Sequence, residues 1–540
     1  MSNILSFSGH INTIKSIWTK DKVLKLACKS GQSYDYQNLY QNLDENNLVY
    51  LVHNSLVTVG VSTTTFMGTN DIVIAFSGEI INYQDFNDLF KKRNHTFESD
   101  TDYEFLIYLY TILLKVSEDH TIPDEFKYDL ESKNISSEEH GCLKLIESIA
   151  NNNKTLLEAF EHILNIIQGD FAFILYDTKL KKYLIVRKGY GITPLYYGIT
   201  QSGECIIASN KRCLNDDCII IKTFPDNCVL YSSISYDICN NIKSILRLGW
   251  LRDNNSISEI KYSDEVFKKL VFNQFTTLEK FIMTSIKNNK LPFGLLFDGS
   301  FESQIMLKIM NKCMKKEPKW GSYPHIFSIH LEEYIKNVNE NVLIDPNVTH
   351  YNFKYSLKDV MNVVPDIIYI METSDVDIIL RAIPLYFLLT KINKGIHLKH
   401  LYSPLGLDEF RYFVDRTTLT NKFQKYSEKY GALGYKLPSY LGITLNMSYI
   451  AAGLIWQLYN LEKEYWNNFG VMREMAKQYG ITDEICLENE KNYLKNMLEK
   501  ESEVIGITDQ EFETGLMIYQ DDPPQSKLDY YIRKIYKNHF

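Results

Sequence analysis

The stretch LPFGLLFDGSFESQIMLKIMNKCM (291–314) sets a glycine and two carboxylates in a polar turn between a strand and a helix. LPFGLLF is a short apolar run of strand type, and QIMLKIMNKCM repeats apolar residues at helical spacing. Between them Asp298, Gly299, Ser300, Phe301, Glu302 and Ser303 form a turn where a strand hands the chain to a helix. Backbone N–H groups at a helix N-terminus point outward, and the helix dipole favours negative charge there, so such loops hold phosphates. Glycine allows the close backbone approach this needs. Here Gly299 stands between two carboxylates, Asp298 and Glu302, which oppose an anion. Thiol and zinc chemistry have less support. The nine cysteines are scattered from Cys28 to Cys486 without a C-x-x-C pair, and their number is odd. That fits reduced thiols in an intracellular chain rather than a disulfide framework or a zinc module.

The elements that would position such a loop follow from periodicity. Residues 47–62 and 71–80 are rich in β-branched and aromatic residues, and the second run passes into a Ser-Gly pair that reads as a turn. Residues 110–165 contain polar and acidic clusters and lead into TLLEAFEHILNIIQG, whose spacing predicts a helix stopping at Gly169. FAFILYD (171–177) and KYLIVRK (182–188) read as strands joined by a short polar turn. Between 212 and 245 turn residues such as Asn215, Asp216 and Pro225 gather and periodicity fades, which places a domain boundary there. Beyond it come a helix at 278–288, a strand at 291–297, a helix at 304–314 and a strand at 325–331. This alternation predicts a parallel sheet with crossover helices. From about residue 420 the pattern reads as helices with no clean strand.

The chain has 540 residues. At roughly 100–200 residues per domain this predicts two or three domains. Apolar residues make up 45% and charged residues 23%, as in globular proteins. Lys and Arg number 58 against 67 Asp and Glu, a net charge of −9 that argues against nucleic acid as a general partner. No apolar run reaches the roughly 18 residues of a membrane span. The first residues, MSNILSFSGHINTIKSIW, lack the basic and apolar regions of a secretory signal, so a cytoplasmic location is expected.

GDFAFILYDTKLKKYLIVRKGYGITPLYYG (169–198) resembles the pattern "G.FAF..YD", then "RD..G..PLYYG", of the glutamine amidotransferase domain of asparagine synthetases. Gly191, Pro194, Leu195, Tyr196, Tyr197 and Gly198 stand in register with it. AFSGEIINYQDF (75–86) resembles "NGEIYNY", SDTDYEFLIYLY (99–110) resembles "SDTEVLL", and Ala208–Leu214 resembles "ASEIKAL". In the second half LLFDGSFES (295–303) stands in the place of "LLFSGGxDS", YSPLGLDEF (402–410) resembles "LSGxGADEL", and VMREMAKQYGI (471–481) resembles "LLRELAKKYGL". METSDVDIILRAIPLYFL (371–388) resembles a segment of the divergent asparagine synthetase domain-containing branch. The resemblance implies an α/β chain. An Ntn-hydrolase-like αββα sandwich at 1–220 would precede a parallel-sheet, ATP-pyrophosphatase-like asparagine synthase domain at 245–540. The inherited reaction would be glutamine hydrolysis, ammonia transfer, and ATP- and Mg2+-dependent amidation of aspartate through an adenylate.

Carried over residue by residue, the resemblance finds altered reagents. The family nucleophile is a cysteine exposed by loss of the initiator methionine, with its own amine as base. Ser2 stands there, and a neutral hydroxyl is a poorer nucleophile than a thiol; the alternative is an ordinary or acetylated N-terminus. The family oxyanion hole uses an Asn side chain and the next Gly N–H. Ser77 and Gly78 replace that pair, and losing one such donor costs about 10²–10³ in rate. The family clamps the substrate carboxylate with an arginine, yet residues 51–70 contain no Arg or Lys. Asp100 matches the residue that binds the substrate ammonium, and is equally a solvated or loop-capping carboxylate.

In the ATP loop Asp298 replaces a serine, Ser300 a glycine, and Glu302 an aspartate, while Gly299 and Ser303 match. A carboxylate about 4–5 Å from a phosphate oxyanion repels it by roughly 3–4 kcal/mol at an effective dielectric near 20. Mg2+ would offset this, with Asp298 as a possible ligand. At 402–410 Gly406, Asp408 and Glu409 match, but Pro404 stands for a glycine and Leu405 for an acidic residue. Asp408 and Glu409 are either metal ligands or a helix N-terminal cap pair. Three readings follow. In the first the fold is kept and catalysis is largely lost. In the second an active amidotransferase uses Ser2, with glutamine, aspartate, ATP and Mg2+. In the third the chain is a non-enzymatic binding or scaffold protein without cofactor. The oligomeric state is not legible.

Overall fold

A computed structural model describes residues 2–10, 18–29, 36–43, 47–55, 71–97, 101–127, 137–151, 155–189, 191–233, 246–247, 264–288, 292–316, 324–335, 348–406, 428–451, 470–481, 489–500, 506–520 and 522–540. The chain divides into two compact units, Met1–Ile257 and Ser258–Phe540. No helix among the described residues is long and apolar enough to cross a membrane.

The strands of the first unit are β1 (Ser2–His10), β2 (Tyr36–Leu43), β3 (Asn47–Ser55), β4 (Ile72–Ile80), β5 (Gly169–Asp177), β6 (Lys182–Lys188), β7 (Tyr196–Thr200), β8 (Cys205–Ala208), β9 (Cys218–Thr223), β10 (Cys228–Ser233) and β11 (Leu246–Arg247). They form two sheets with antiparallel pairing, ordered β2-β3-β1-β8-β7-β9 and β11-β10-β6-β5-β4. β4 shows why the layers form. Its side chains alternate between two apolar environments, so the strand reads as a continuous hydrophobic run. Val73 and Ala75 join Ala172 and Ile174 against Val49 and Leu51 of the other sheet. Ile72, Ile74, Phe76 and Ile80 face the helices α2 (Tyr83–Lys91), α3 (Glu104–Asp119), α4 (Ser137–Ala150) and α5 (Leu156–Ile166). On the far side Val23, Leu26 and Ala27 of α1 (Lys20–Cys28) cover Tyr50, Val52 and Ile206. The expected αββα sandwich is therefore present.

Three local expectations differ from the structure. The Ser-Gly pair is not a turn, because β4 continues through Ser77 and Gly78 to Ile80. α5 begins with a reciprocal capping box, Glu158 N–H to Thr155 Oγ1 at 3.3 Å and Thr155 N–H to Glu158 at 2.8 Å, but ends at Ile166. Gly169 instead opens β5 with φ +143°, since a Cβ there would lie 2.1 Å from Glu79 O. The weakly periodic segment after residue 212 holds β9 and β10, whose turn residues Asp226 and Asn227 hid two short strands of the same sheets.

The second unit is organised by a parallel sheet of β12 (Phe293–Leu296), β13 (His325–Leu331), β14 (His350–Tyr355), β15 (His400–Tyr402) and β16 (Thr444–Asn446), ordered β14-β13-β12-β15-β16. The chain builds outward from β12 through β13 to β14, then returns to the other side of β12 with β15 and β16. Helices α6 (Asp264–Asn288), α7 (Phe301–Lys316), α8 (Leu357–Met371) and α9 (Val376–Gly395) precede and connect these strands. The core gathers Leu296, Phe327, Leu401 and Leu445 from the sheet with Val364, Ile368, Ile379 and Leu389 from α8 and α9. β16 corrects the expectation of helices alone after residue 420; its short Thr-Leu-Asn core has no periodicity to detect. The order reverses between β12 and β15, and in open parallel sheets such a reversal opens a crevice at the strands' carboxyl ends. The loops after β12 and β15 are the two that begin there.

Candidate functional site

In the first unit, β4 and the segment after it carry the geometry. Ser77 is fully buried. Gly78 has φ +110°, and a Cβ on it would lie 2.3 Å from Asp170 O and 2.6 Å from Phe171 Cα. The pairing of Gly78 with Phe171 in β5 thus requires glycine whatever its N–H does. The chain then locks at the strand end. Asp102 accepts the Ile80 N–H at 2.7 Å, and Asn82 accepts Gln168 N–H at 2.8 Å while donating to Ile166 O at 3.1 Å. Burial pushes the Asp102 carboxyl up to about 6, opposed by the Ile80 hydrogen bond. Beside it Tyr103 stacks on Phe76 at 4.7 Å and meets the buried His53 of β3 edge-on at 6.3 Å.

β1 lies against both β3 and β4, and Ser2 is paired with Ser55, two residues along β3 from His53. The fold therefore brings the backbone of the N-terminal strand to the layer that contains Ser77 and Gly78. Asp100 lies outside the described residues. His53, Asp102 and Tyr103 were not singled out from sequence. Asp102 and Tyr103 stood within the quoted 99–110 motif, whereas His53 had no local signal.

Gly189 and residues 191–193, between β6 and β7, are pinned from three sides. Asp170 accepts Thr193 N–H at 2.6 Å and Ile192 N–H at 3.3 Å. Arg187 donates to Thr193 O at 2.9 Å, Phe224 O at 2.7 Å and Gly191 O at 3.1 Å, and pairs with Asp226 at 2.6 Å. Asn227 accepts Gly189 N–H at 3.0 Å and donates to Gly189 O at 2.7 Å. The Lys188 ammonium donates to Ile167 O. Burial lowers its pKa to about 8, with the Asp170 charge opposing.

In the second unit the loop Asp298–Ser303 joins β12 to α7. Ser328 Oγ donates to Phe297 O at 2.6 Å and meets His350 Nε2 at 2.7 Å, which fixes the end of the strand. Gly299 takes φ +80°. Asp298 Oδ1 then accepts both the Ser300 N–H at 3.0 Å and the Ser300 hydroxyl at 2.6 Å. Ser300 Oγ in turn accepts the Ser303 N–H at 3.2 Å, as a helix N-cap does. Two backbone donors of the loop are therefore engaged within the loop. Glu302 is buried, and Tyr449, just beyond β16, donates its hydroxyl to Glu302 O at 2.8 Å. After β15, Ser403 N–H bonds Asn446 O at 2.9 Å, Leu405 N–H bonds Ser403 Oγ at 3.2 Å, and Gly406 has φ +123°. Pairing of Leu295 with Tyr402 brings the loop at Asp298 and the loop at Gly406 to the same end of adjacent strands. Asp408 and Glu409 lie outside the described residues, and among those described no group of His, Cys, Asp and Glu forms a metal site.

A further charged pair went unnoticed in the sequence. Lys436 Nζ lies 2.6 Å from Glu372 Oε2, and their side chains are 5% and 0% exposed. Lys436 ends a π-helical turn, Ala432–Lys436, which packs against α8, α9 and β16. Such turns recur at functional positions. Glu372 is left-handed at the end of α8 with φ +55° and lies in the 371–388 segment that carried part of the resemblance.

Comparison with known proteins matches residues 123–216 to a family model described as a glutamine amidotransferase domain. The chain is 24% identical to asparagine synthetase (glutamine-hydrolysing) 1 of Arabidopsis thaliana, over 94% of this chain and 81% of that protein. It is 24% identical to the asparagine synthetase (glutamine-hydrolysing) of Sandersonia aurantiaca, over 93% of this chain and 90% of that one. Among solved structures it is similar to an allosteric regulatory enzyme of purine biosynthesis at 11% identity, covering 54% of this chain and 60% of that one. The TM-score of 0.30 is too low for that likeness to bear on the fold.

Proposed function

The chain belongs to the asparagine synthetase family, and on that premise we propose that it is a cytoplasmic asparagine synthetase-like protein whose inherited chemistry is strongly impaired. The inherited reaction is glutamine-dependent, ATP-driven amidation of aspartate to asparagine. ATP, when bound with Mg2+, supplies activation of the aspartate carboxylate.

The observation that carries the reading is the Asp298 carboxylate. It occupies Ser300 N–H and Ser300 Oγ–H together, so the loop caps itself with its own anion. A pyrophosphate would have to displace that carboxylate from the donors and then tolerate its charge nearby. At about 4–5 Å the repulsion is roughly 3–4 kcal/mol, enough to weaken binding by about two to three orders of magnitude. In this conformation the loop does not fit the nucleotide. The first unit adds support, since Gly78 is required by strand packing alone and Ser77 cannot supply the amide donor of the family's Asn.

The test uses the full-length protein. Mg-ATP and inorganic pyrophosphate should leave its melting temperature unchanged, and Asp298→Ser should gain a ligand-dependent rise. Asparagine formed from glutamine or ammonia above the level of a Ser2→Ala, Asp298→Ala double variant would overturn the reading.

A further inference from the structure

The first unit contains a cavity of about 540 Å³. Leu114 of α3, Ile149 of α4, Leu156 of α5 and Leu180 of the β5–β6 turn give it apolar walls. Its polar lining is Ser117, Glu118 and His120 at the end of α3, Thr155 and Glu158 at the start of α5, Lys182 at the start of β6, and Tyr231 of β10. The Lys182 ammonium lies 4.9 Å from the centre of the Tyr231 ring. The Tyr231 hydroxyl is backed by Tyr110 Oη at 3.5 Å, which donates to Asp177 at 3.0 Å, so the floor is held from beneath.

Among the described residues neither Glu118 nor Lys182 has an ion-pair or hydrogen-bond partner, and they do not pair with each other. The neighbouring Glu158 is engaged, accepting Thr155 N–H at 2.8 Å and Thr155 Oγ1–H at 2.9 Å. Glu118 and Lys182 thus present opposite charges to the same apolar-walled space, Lys182 over the Tyr231 ring. A simple anion there would meet Glu118, and a simple cation would meet Lys182. A molecule carrying both charges satisfies both, and apolar walls of this kind take up a hydrocarbon side chain.

We infer that the cavity binds a free α-amino acid with an apolar side chain, its carboxylate at Lys182, its ammonium at Glu118, and its side chain among Leu114, Ile149, Leu156 and Leu180. The site is separate from the Gly78 region. Lys182 and Lys188 end the same strand, and Lys188 pairs with Phe171, which pairs with Gly78. At about 3.3 Å per residue the separation along β6 is about 20 Å.

Calorimetric titration of the full-length protein with L-phenylalanine, L-leucine and L-methionine tests this. Phenethylamine, which lacks the carboxylate, and hydrocinnamate, which lacks the ammonium, should each bind about 10–100-fold more weakly than phenylalanine. Lys182→Gln should remove the preference for phenylalanine over phenethylamine, and Glu118→Gln the preference over hydrocinnamate. Both side chains reach the surface, so ligand-free melting temperatures should match the parent and show that the fold is intact. Failure of all three amino acids to bind up to their solubility limits would overturn the inference. So would binding that both variants leave unchanged, which would place the ligand in the inherited glutamine pocket or elsewhere. Because no residue of the Asp298 loop is involved, either result is independent of the proposed loss of nucleotide binding.

Discussion

Replacing Lys436 with methionine should destabilise the second unit far more than replacing both Lys436 and Glu372. The two groups meet at 2.6 Å with side chains 5% and 0% exposed, so water screens neither charge. Lys436 Nζ also lies 3.4 Å from Met371 O, which strengthens its place at the end of α8. Removing one partner of a buried pair leaves the other charge desolvated and costs about 3–5 kcal/mol. Replacing both by apolar groups of similar volume is often neutral, or stabilising by about 1–4 kcal/mol, because two desolvation penalties vanish with the attraction. In a unit of this size about 1 kcal/mol moves the melting temperature by roughly 2–4 °C, so the single variant should melt on the order of ten degrees lower. Differential scanning calorimetry on the full chain can follow this transition, since two units need not unfold as one. Glu372→Leu with Lys436→Met should return most of the loss. If Lys436→Met melts like the parent, or the double variant melts as low as the single, the pair is not the buried, coupled interaction described.

Gly78→Ala should lower stability by at least about 1–3 kcal/mol, because φ +110° and a Cβ 2.3 Å from Asp170 O leave the methyl no room; parent-like melting would refute the strand geometry. Burial lifts Asp102 from 3.8 to about 6, so folding takes up a proton between these values. The stability this group contributes is fully present below pH 3.8 and lost as pH rises through about 6. Asp102→Asn should therefore flatten the pH dependence of melting across that window, and an unchanged slope would show that the carboxyl is solvated. A glutamine-analogue electrophile should leave the N-terminal peptide unmodified if Ser2 is no longer a nucleophile, whatever it does at the exposed Cys28; a stoichiometric adduct at residue 2 would restore the amidotransferase reading.

The parts of the fold that could be read from residues alone were those governed by local rules. β5 and β6 announced themselves because alternate positions face two apolar layers, and the strand, turn and helix at 293–316 did so through a change of period. The PLYYG segment was readable for a related reason. It leads from a loop whose Gly189, Gly191 and Thr193 backbone is held by Asp170, Arg187 and Asn227 straight into β7. Where local and long-range demands conflict, reading by composition failed. Ser-Gly has turn chemistry, but the approach of β5 keeps Gly78 inside a strand. Thr444–Asn446 became a strand only because β15 lay beside it.

Chain order and residue type were enough to establish the family pattern and the two classes of sheet. They could not say that Asp298 turns back onto Ser300, that Glu372 meets Lys436 across 64 residues, or that Glu118 and Lys182 open onto one cavity. The last two depend on which surfaces the helices and sheets bring together, whereas the first is a local turn about Gly299. Burial removes the water that would otherwise satisfy a charge, and no spacing along the chain encodes it.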